Sequence, residues 1–191
     1  MEDKKASKPG MKKFILSAVF LLALMLSFIF DSQIALLLSK IRNPILDFFM
    51  IAVSISSVYI ILVVPTLFLF FSDKKQILKY WFGFALTFFV MLLIKMVIHR
   101  ERPFQALDLT VPASLISASY SAWDFSFPSN HSALSFIALP FLKGNFFIIW
   151  LAVSILIVVS RVYFGLHYLG DVLAGMALSY LVSIFVMRYI K

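Results

Sequence analysis

The sequence predicts an all-α membrane protein, a six-transmembrane helical bundle in a single domain, and three observations predict it. Of the 191 residues, 62% are hydrophobic and 14% charged, with a mean hydropathy of +1.00. No soluble core of this size needs so much apolar surface. Several uninterrupted apolar runs reach the length needed to cross a hydrocarbon layer of roughly 30 Å. The basic residues also gather on one side of the layout that these runs define. The net charge of +8 therefore reads as positive loops lying on anionic lipid, and no nucleic-acid partner is expected. Cysteine is absent, which excludes disulfides, thiolate nucleophiles and thiolate metal sites.

Residues 1–13 hold five lysines, one proline and one glycine and read as a basic cytoplasmic tail. The membrane domain then runs over 14–191. Phe14–Phe30 is an apolar run with no small-x-small cleavage site after it, so it predicts a retained first span rather than a signal peptide. Asp31–Asn43 places Ile34, Leu37, Leu38 and Ile41 at helical spacing among Gln33, Lys40 and Arg42. That pattern predicts a short amphipathic helix in the interface. Phe48–Phe71 is the second span, with Pro65 tolerated inside it. Ser72–Lys79 reads as a polar turn, and Tyr80–Ile98 as the third span. Residues 99–127 form a long polar connection of the kind that usually carries function. Ser129–Leu142 predicts a fourth span, short enough to sink its start below the membrane surface. Lys143-Gly144-Asn145 is a turn, Phe146–Phe164 the fifth span and Asp171–Ile190 the sixth.

With six spans and an inner N-terminus, 11 of the 17 basic residues fall on the inner side: Lys4, Lys5, Lys8, Lys12, Lys13, Lys74, Lys75, Lys79, Lys143, Arg188 and Lys191. The outer side holds Lys40, Arg42, Lys95, Arg100, Arg102 and Arg161. Both termini are thus expected in the cytoplasm.

Three polar clusters lie on the outer side. In the first, Lys95 and Arg102 are seven residues apart, nearly two helical turns, which puts both cations on one face with His99 between them. In the second, Pro128-Ser129-Asn130-His131 opens a helix whose free N–H groups suit an anion. In the third, Arg161 precedes His167 and Asp171, and the four-residue spacing of that pair allows an imidazole–carboxylate hydrogen bond on a helix. A carboxylate at one ring nitrogen leaves the other free as base or nucleophile, and Arg161 offers a fork for phosphate. Ionisable groups at membrane depth cost roughly 2.5–3.5 kcal/mol each by insertion scales, so six of them on one side point to chemistry. Fixed cations, two histidines and a carboxylate suit phosphoryl transfer. A metal site of His131, His167 and Asp171 has plausible ligand types, but the surrounding cations repel a divalent ion.

The clusters, KMVIHRERP, PSNH and SRVYFGLHYLGD, resemble the signature Lys-x6-Arg-Pro, Pro-Ser-Gly-His and Ser-Arg-x5-His-x3-Asp. That signature marks the type 2 phosphatidic acid phosphatase superfamily, the lipid phosphate phosphatases related in fold to vanadium haloperoxidases. The resemblance covers residues 95–171. It implies that His167 is a nucleophile forming a phosphohistidine, that Asp171 orients it, and that His131 protonates the leaving oxygen and later activates water. It implies that Lys95, Arg102, Ser129, the Asn130 backbone and Arg161 hold the phosphate, and that no metal or cofactor takes part. Asn130 stands where the family usually has glycine, and a more crowded or more polar pocket is expected there.

The expected protein is a multi-pass enzyme of the cell membrane that acts on a lipid phosphate at the extracytoplasmic face. The small size resembles prokaryotic polyprenyl diphosphate phosphatases, acting on undecaprenyl or dolichyl diphosphate. Phosphatidylglycerophosphate and phosphatidic acid are the alternative substrates. A non-catalytic lipid-phosphate carrier or flippase explains the cations but not the histidines. Phe104, Tyr120, Trp123 and Phe125 are candidates for the lipid entrance or, more blandly, for interfacial anchoring.

Overall fold

The computed structural model describes residues 9–117 and 125–190. All regular structure among the described residues is helical: α1 (Pro9–Lys40), α2 (Pro44–Ser72), α3 (Lys74–Ile98), α4 (Pro103–Ala106), α5 (Ala113–Ser117), α6 (Asn130–Phe136), a 3-10 turn (Leu139–Phe141), α7 (Gly144–Tyr163) and α8 (Leu169–Tyr189). Five helical segments among the described residues are long and apolar enough to cross a membrane: Ser17–Lys40, Pro44–Ser72, Lys74–Ala106, Gly144–Tyr163 and Leu169–Tyr189. α8 packs against α1, α3 and α6, while α2 packs against α7 and α3.

The distribution of side chains is inverted relative to a water-soluble bundle. Large apolar residues such as Leu37, Phe48, Phe89, Ile149 and Leu181 face outward, and Ser27, Ser54, Thr87, Ser154, Ser179 and Ser183 are buried. Small hydroxyl residues let helices approach closely where lipid, rather than water, surrounds them. Together with the apolar helices, this makes the chain a multi-pass membrane protein.

Three elements differ from expectation. α1 continues through Asp31 to Lys40 as one helix, so no separate interfacial helix starts at Asp31. The Asp31 carboxylate does not interrupt α1 because it is buried and hydrogen-bonded, to Gly170 N at 2.8 Å and Arg100 at 2.8 Å. Residues 1–8 of the expected tail lie outside the described residues, and the chain is already helical from Pro9. The expected polar turn at Ser72–Lys79 shrinks to Asp73 alone, which caps the end of α2 and begins α3. The segment 129–142 is not one helix. Pro140 has no N–H for the carbonyl of Phe136 and clashes with that turn, so α6 stops at Phe136 and the chain continues through the 3-10 turn. The carbonyl of Ser135, left over at this break, accepts from Trp150 Nε1 at 2.9 Å and Ser154 Oγ at 3.4 Å.

A similar repair holds α2 together. Pro65 lies inside the helix and supplies no N–H to the carbonyl four residues back, that of Ile61. Tyr80, fully buried on α3, donates its hydroxyl to the Ile61 carbonyl at 3.2 Å. Tyr80→Phe is expected to leave that carbonyl unsatisfied in an apolar setting and to cost about 1–3 kcal/mol. A lowered melting temperature in detergent, with unchanged turnover per folded molecule, is the expected reading.

Two apolar clusters mark the ends of the bundle. Leu69, Tyr80, Ile137, Phe141, Trp150 and Val186 pack at one end. Met50, Val111, Leu115, Tyr163, Phe164 and Leu166 pack at the other. The second cluster adjoins the ends of α3 and α7 and the starts of α6 and α8, where the three polar clusters meet.

Candidate active site

The first cluster comes together by a turn rather than along one helix face. α3 ends at Ile98, where His99 adopts a left-handed conformation (φ 47°) and donates its N–H to the Lys95 carbonyl at 3.2 Å. The chain then reverses and Arg102 leads into α4. Lys95 and Arg102 are consequently not aligned as the seven-residue spacing suggested, yet both are buried, at 2% and 4% exposure. Lys95 Nζ donates to the carbonyl of Phe125. Arg102 Nη1 donates to the Leu166 carbonyl at 2.7 Å and lies 3.2 Å from His167 Nε2.

The second cluster is tied to the third through the backbone. Ser129 precedes α6, its N–H donates to the Asp171 carbonyl at 3.0 Å, and Ser132 Oγ donates to the Val172 carbonyl at 2.7 Å. Ser129 Oγ and Asn130 Oδ1 are buried without a hydrogen-bond partner among the described residues. Asn130 has ordinary helical backbone rather than a positive φ, so this position does not demand glycine's conformational freedom. Its side chain lines a largely apolar cleft between α2 and α3, with Val58, Leu62, Phe84, Phe88 and His131. His131 also borders a second cleft, containing Ser54, Ser114 and Arg161, and lies within electrostatic reach of His167, Arg161, Arg102 and Lys95.

The third cluster is a tight turn closing the end of α7. Gly165 sits at φ +64°, a conformation that glycine adopts without a Cβ penalty, and its carbonyl accepts from Phe104 N at 3.0 Å. The N–H groups of Leu166 and His167 fold back onto the Arg161 carbonyl at 3.0 and 3.3 Å. Arg161 Nη2 reaches across to α2, donating to the Ser54 carbonyl at 2.9 Å and to Ser57 Oγ at 2.8 Å. At the outer edge, Arg42 pairs with Asp47 at 2.8 Å, and Tyr163 OH donates to the same carboxylate at 2.6 Å.

His167 itself lies in this turn, before α8 begins at Leu169. The pairing expected from the four-residue spacing is therefore not made directly: His167 Nδ1 is 3.8 Å from Asp171 Oδ2. Its hydrogen-bond partner is the carbonyl of Ser126, at 2.7 Å. Ser126 Oγ in turn donates to Asp171 Oδ2, so serine stands between carboxylate and imidazole. Asp171 also accepts from Arg100 Nη1 at 2.7 Å and from Tyr168 N at 2.9 Å. Because a carbonyl can only accept, Nδ1 must carry the proton, and the lone pair is on Nε2. Burial, followed by the charges of Arg102, Lys95 and Arg161, holds the His167 imidazole well below its ordinary titration range, against a smaller opposing effect of the Ser126 carbonyl.

A lowered value keeps the neutral ring present as pH falls, and it is lost only below the usual midpoint of about 6.5. Ring-nitrogen NMR shifts of substrate-free enzyme, assigned by their loss in His167→Asn, are expected to show a neutral ring at pH 6.5. A half-charged ring at that pH contradicts the cation cluster as drawn.

The family model of the PAP2 superfamily matches residues 76–191, more than half of the chain. The chain belongs to the PAP2 superfamily. A lipid A 4'-phosphatase of Bacteroides thetaiotaomicron is 28% identical to this PAP2 protein over 157 residues, covering 76% of this chain and 70% of the relative. Among solved structures, a transmembrane PAP2-type phosphatidylglycerolphosphate phosphatase of Bacillus subtilis matches with a TM-score of 0.67 at 25% identity, covering 92% of this chain and 96% of the other. Aquifex aeolicus LpxE shares the fold with a TM-score of 0.68 at 21% identity, covering 83% and 95% of the two chains. This PAP2 protein is a membrane lipid phosphatase.

Sequence reasoning singled out the residues of the three clusters but missed the groups that hold them in place. Ser126 sits in a connection with no readable pattern, and Ser57 in an apolar run. Asp31 and Arg100 carried a signal, an acid and a base at membrane depth, yet nothing in the spacing linked them. Of the candidate entrance aromatics, Tyr120 and Trp123 lie outside the described residues. Phe104 packs against the cluster beside the site, and Phe125 meets His99 edge-on at 4.5 Å.

Proposed function

We propose that this PAP2 protein removes a terminal phosphate from a membrane lipid at the extracytoplasmic face, with His167 as nucleophile. The observation that carries this reading is the doubly fixed His167 ring, with Nδ1 on the Ser126 carbonyl at 2.7 Å and Nε2 facing the Arg102 guanidinium at 3.2 Å. A phosphate drawn to Arg102, Lys95 and Arg161 arrives at the nitrogen that holds the lone pair. Nε2 then attacks phosphorus, the bond to the lipid oxygen breaks, and His131 gives that oxygen a proton, releasing the lipid alcohol or, from a diphosphate, the lipid monophosphate. His131, now neutral, takes a proton from water, whose oxygen attacks the phosphohistidine and frees inorganic phosphate with Nε2 restored. The buried Ser129 hydroxyl and the Asn130 backbone stand ready for phosphate oxygens. Asp171 acts on His167 through Ser126 rather than by contact.

Membrane placement supports the lipid and the outward face. The apolar cleft between α2 and α3 leads to His131, which suits a lipid tail entering from the bilayer. The far ends of the helices carry Lys74, Lys75, Lys79, Lys143 and Arg188, and the positive-inside rule puts those ends in the cytoplasm. Residues 129–142 run from the site to the cluster at that far end, which supports reading them as a sixth, broken crossing. The relatives act on phosphatidylglycerolphosphate and lipid A by name, and they favour a lipid phosphate monoester over a polyprenyl diphosphate. The deciding experiment is phosphate release in detergent with chelator present, from phosphatidylglycerophosphate, a lipid A phosphate, undecaprenyl diphosphate, phosphatidic acid and a soluble phosphate ester. A lipid monoester is expected to rank first. Undecaprenyl diphosphate in first place reassigns the substrate. Tight binding without release from any member supports a carrier.

A further inference from the structure

Asp31 and Arg100 touch no group that the phosphate chemistry uses directly, but both are tied to its supports. Asp31, on α1, is 2% exposed. Its Oδ1 accepts from Gly170 N at 2.8 Å, and its Oδ2 accepts from Arg100 Nη2 at 2.8 Å. The other terminal nitrogen of that guanidinium donates to Asp171 Oδ1 at 2.7 Å. The guanidinium lies over the Tyr168 ring, 4.0 Å from its centre, with Phe28 at 5.4 Å. The backbone of Arg100 performs a second task, because its carbonyl accepts from Ser126 N at 2.8 Å. Ser126 is the residue whose carbonyl receives His167 Nδ1. One arginine thus holds both supports of the imidazole, Asp171 by its side chain and Ser126 by its main chain.

The approach of α1 is shaped around this contact. A Cβ on Gly170 would stand 2.8 Å from Asp31 Oδ2 and 3.1 Å from the Phe28 ring. Docking one apolar helix on another requires no buried carboxylate, and a charge at membrane depth is costly. A planar fork joining two carboxylates in different directions is also a geometry that lysine, a single point charge, does not reproduce.

We propose that Asp31 and Arg100 are positioning residues for His167: Arg100 holds Asp171 and Ser126 in place, and Asp31 fixes the Arg100 guanidinium from α1. The inference rests on His167 being the nucleophile.

The test is steady-state kinetics of the purified full-length chain in detergent on the best lipid phosphate of the panel, with inhibition by inorganic phosphate measured alongside. Rates are counted per monodisperse folded molecule. A misplaced nucleophile costs about 10²-fold in rate when held roughly 1 Å off, while the phosphate-binding cations are untouched. Arg100→Gln is therefore expected to lower kcat by about that factor, with KM and phosphate inhibition little changed. Arg100→Lys is expected to recover only part of the loss. Asp31→Asn keeps size and an acceptor for Gly170, so it is expected to fold even where Arg100 variants do not, and it should show a smaller loss of the same kind. Adding it to Arg100→Gln should cost nothing more, since it acts through Arg100. Unchanged kcat in Asp31→Asn and Arg100→Gln overturns the proposal, as does a loss shared equally by kcat and phosphate affinity. His167→Ala runs in parallel: full activity there sinks the nucleophile reading itself, whereas an inactive His167→Ala beside a fully active Arg100→Gln sinks only this inference.

Discussion

His167→Ala is expected to lose at least about 10⁴-fold in kcat on every phosphate substrate, a loss typical when a nucleophile is removed from a unit that acts together. The magnitude follows from the geometry. Ser126 fixes the proton on Nδ1, Arg102 faces Nε2, and burial with three cations keeps the ring neutral. None of these arrangements helps water attack phosphorus directly. Substrate binding should survive, because Lys95, Arg102 and Arg161 remain. Rapid mixing with radiolabelled substrate and an alkaline quench should trap a phosphorylated enzyme in the wild type and none in the variant. A phosphorus–nitrogen bond is stable in alkali and lost in acid, which distinguishes it from an ester to serine. Full turnover by His167→Ala, or an acid-stable adduct, rules out the histidine route.

His131→Ala is expected to separate the two halves of the reaction. A lipid alcohol is a poor leaving group and needs a proton, so its release should slow by about 10²–10⁴-fold, the usual range for a general acid. A nitrophenyl phosphate expels a stable anion and does not need the proton. With that substrate the variant should still release one nitrophenol per enzyme in a burst. It should then stall, because the phosphohistidine waits for a water that His131 no longer activates. An equal loss on both substrates, with no burst, places His131 in binding instead. Its position beside the apolar cleft and within reach of the cations favours the burst.

The three motifs and the membrane class were legible in the sequence because both depend on residue type and local spacing. The structure departs from the sequence reading where local spacing suggests a continuous helix. His167 and Asp171 lie four residues apart, but α8 begins only at Leu169, so the helical pairing rule does not apply to them. Lys95 and Arg102 are likewise separated by the left-handed turn at His99. Pro140 was visible inside the predicted fourth span, yet the apolar run hid its effect; Trp150 and Ser154 make the break tolerable from α7. Ser126, Ser57 and Asp31 acquire meaning only from partners far along the chain, and no window of sequence contains both members of such a pair.

The contacts of Arg161 with Ser54 and Ser57 on α2 also bear on how the protein is made. A membrane chain is delivered segment by segment, and α2 enters long before α7 is synthesised. Until residue 161 arrives, the Ser57 hydroxyl has only its own helix to bond, which it does through the Ser54 carbonyl at 2.6 Å. The α2 side of this contact is therefore in place before the arginine that joins it. The contact can close only after α7 has followed α2 into the membrane and Arg161 reaches Ser54 and Ser57. A newly synthesised chain with most of its basic residues in place is expected to be inert toward phosphate, and to gain activity in one late step.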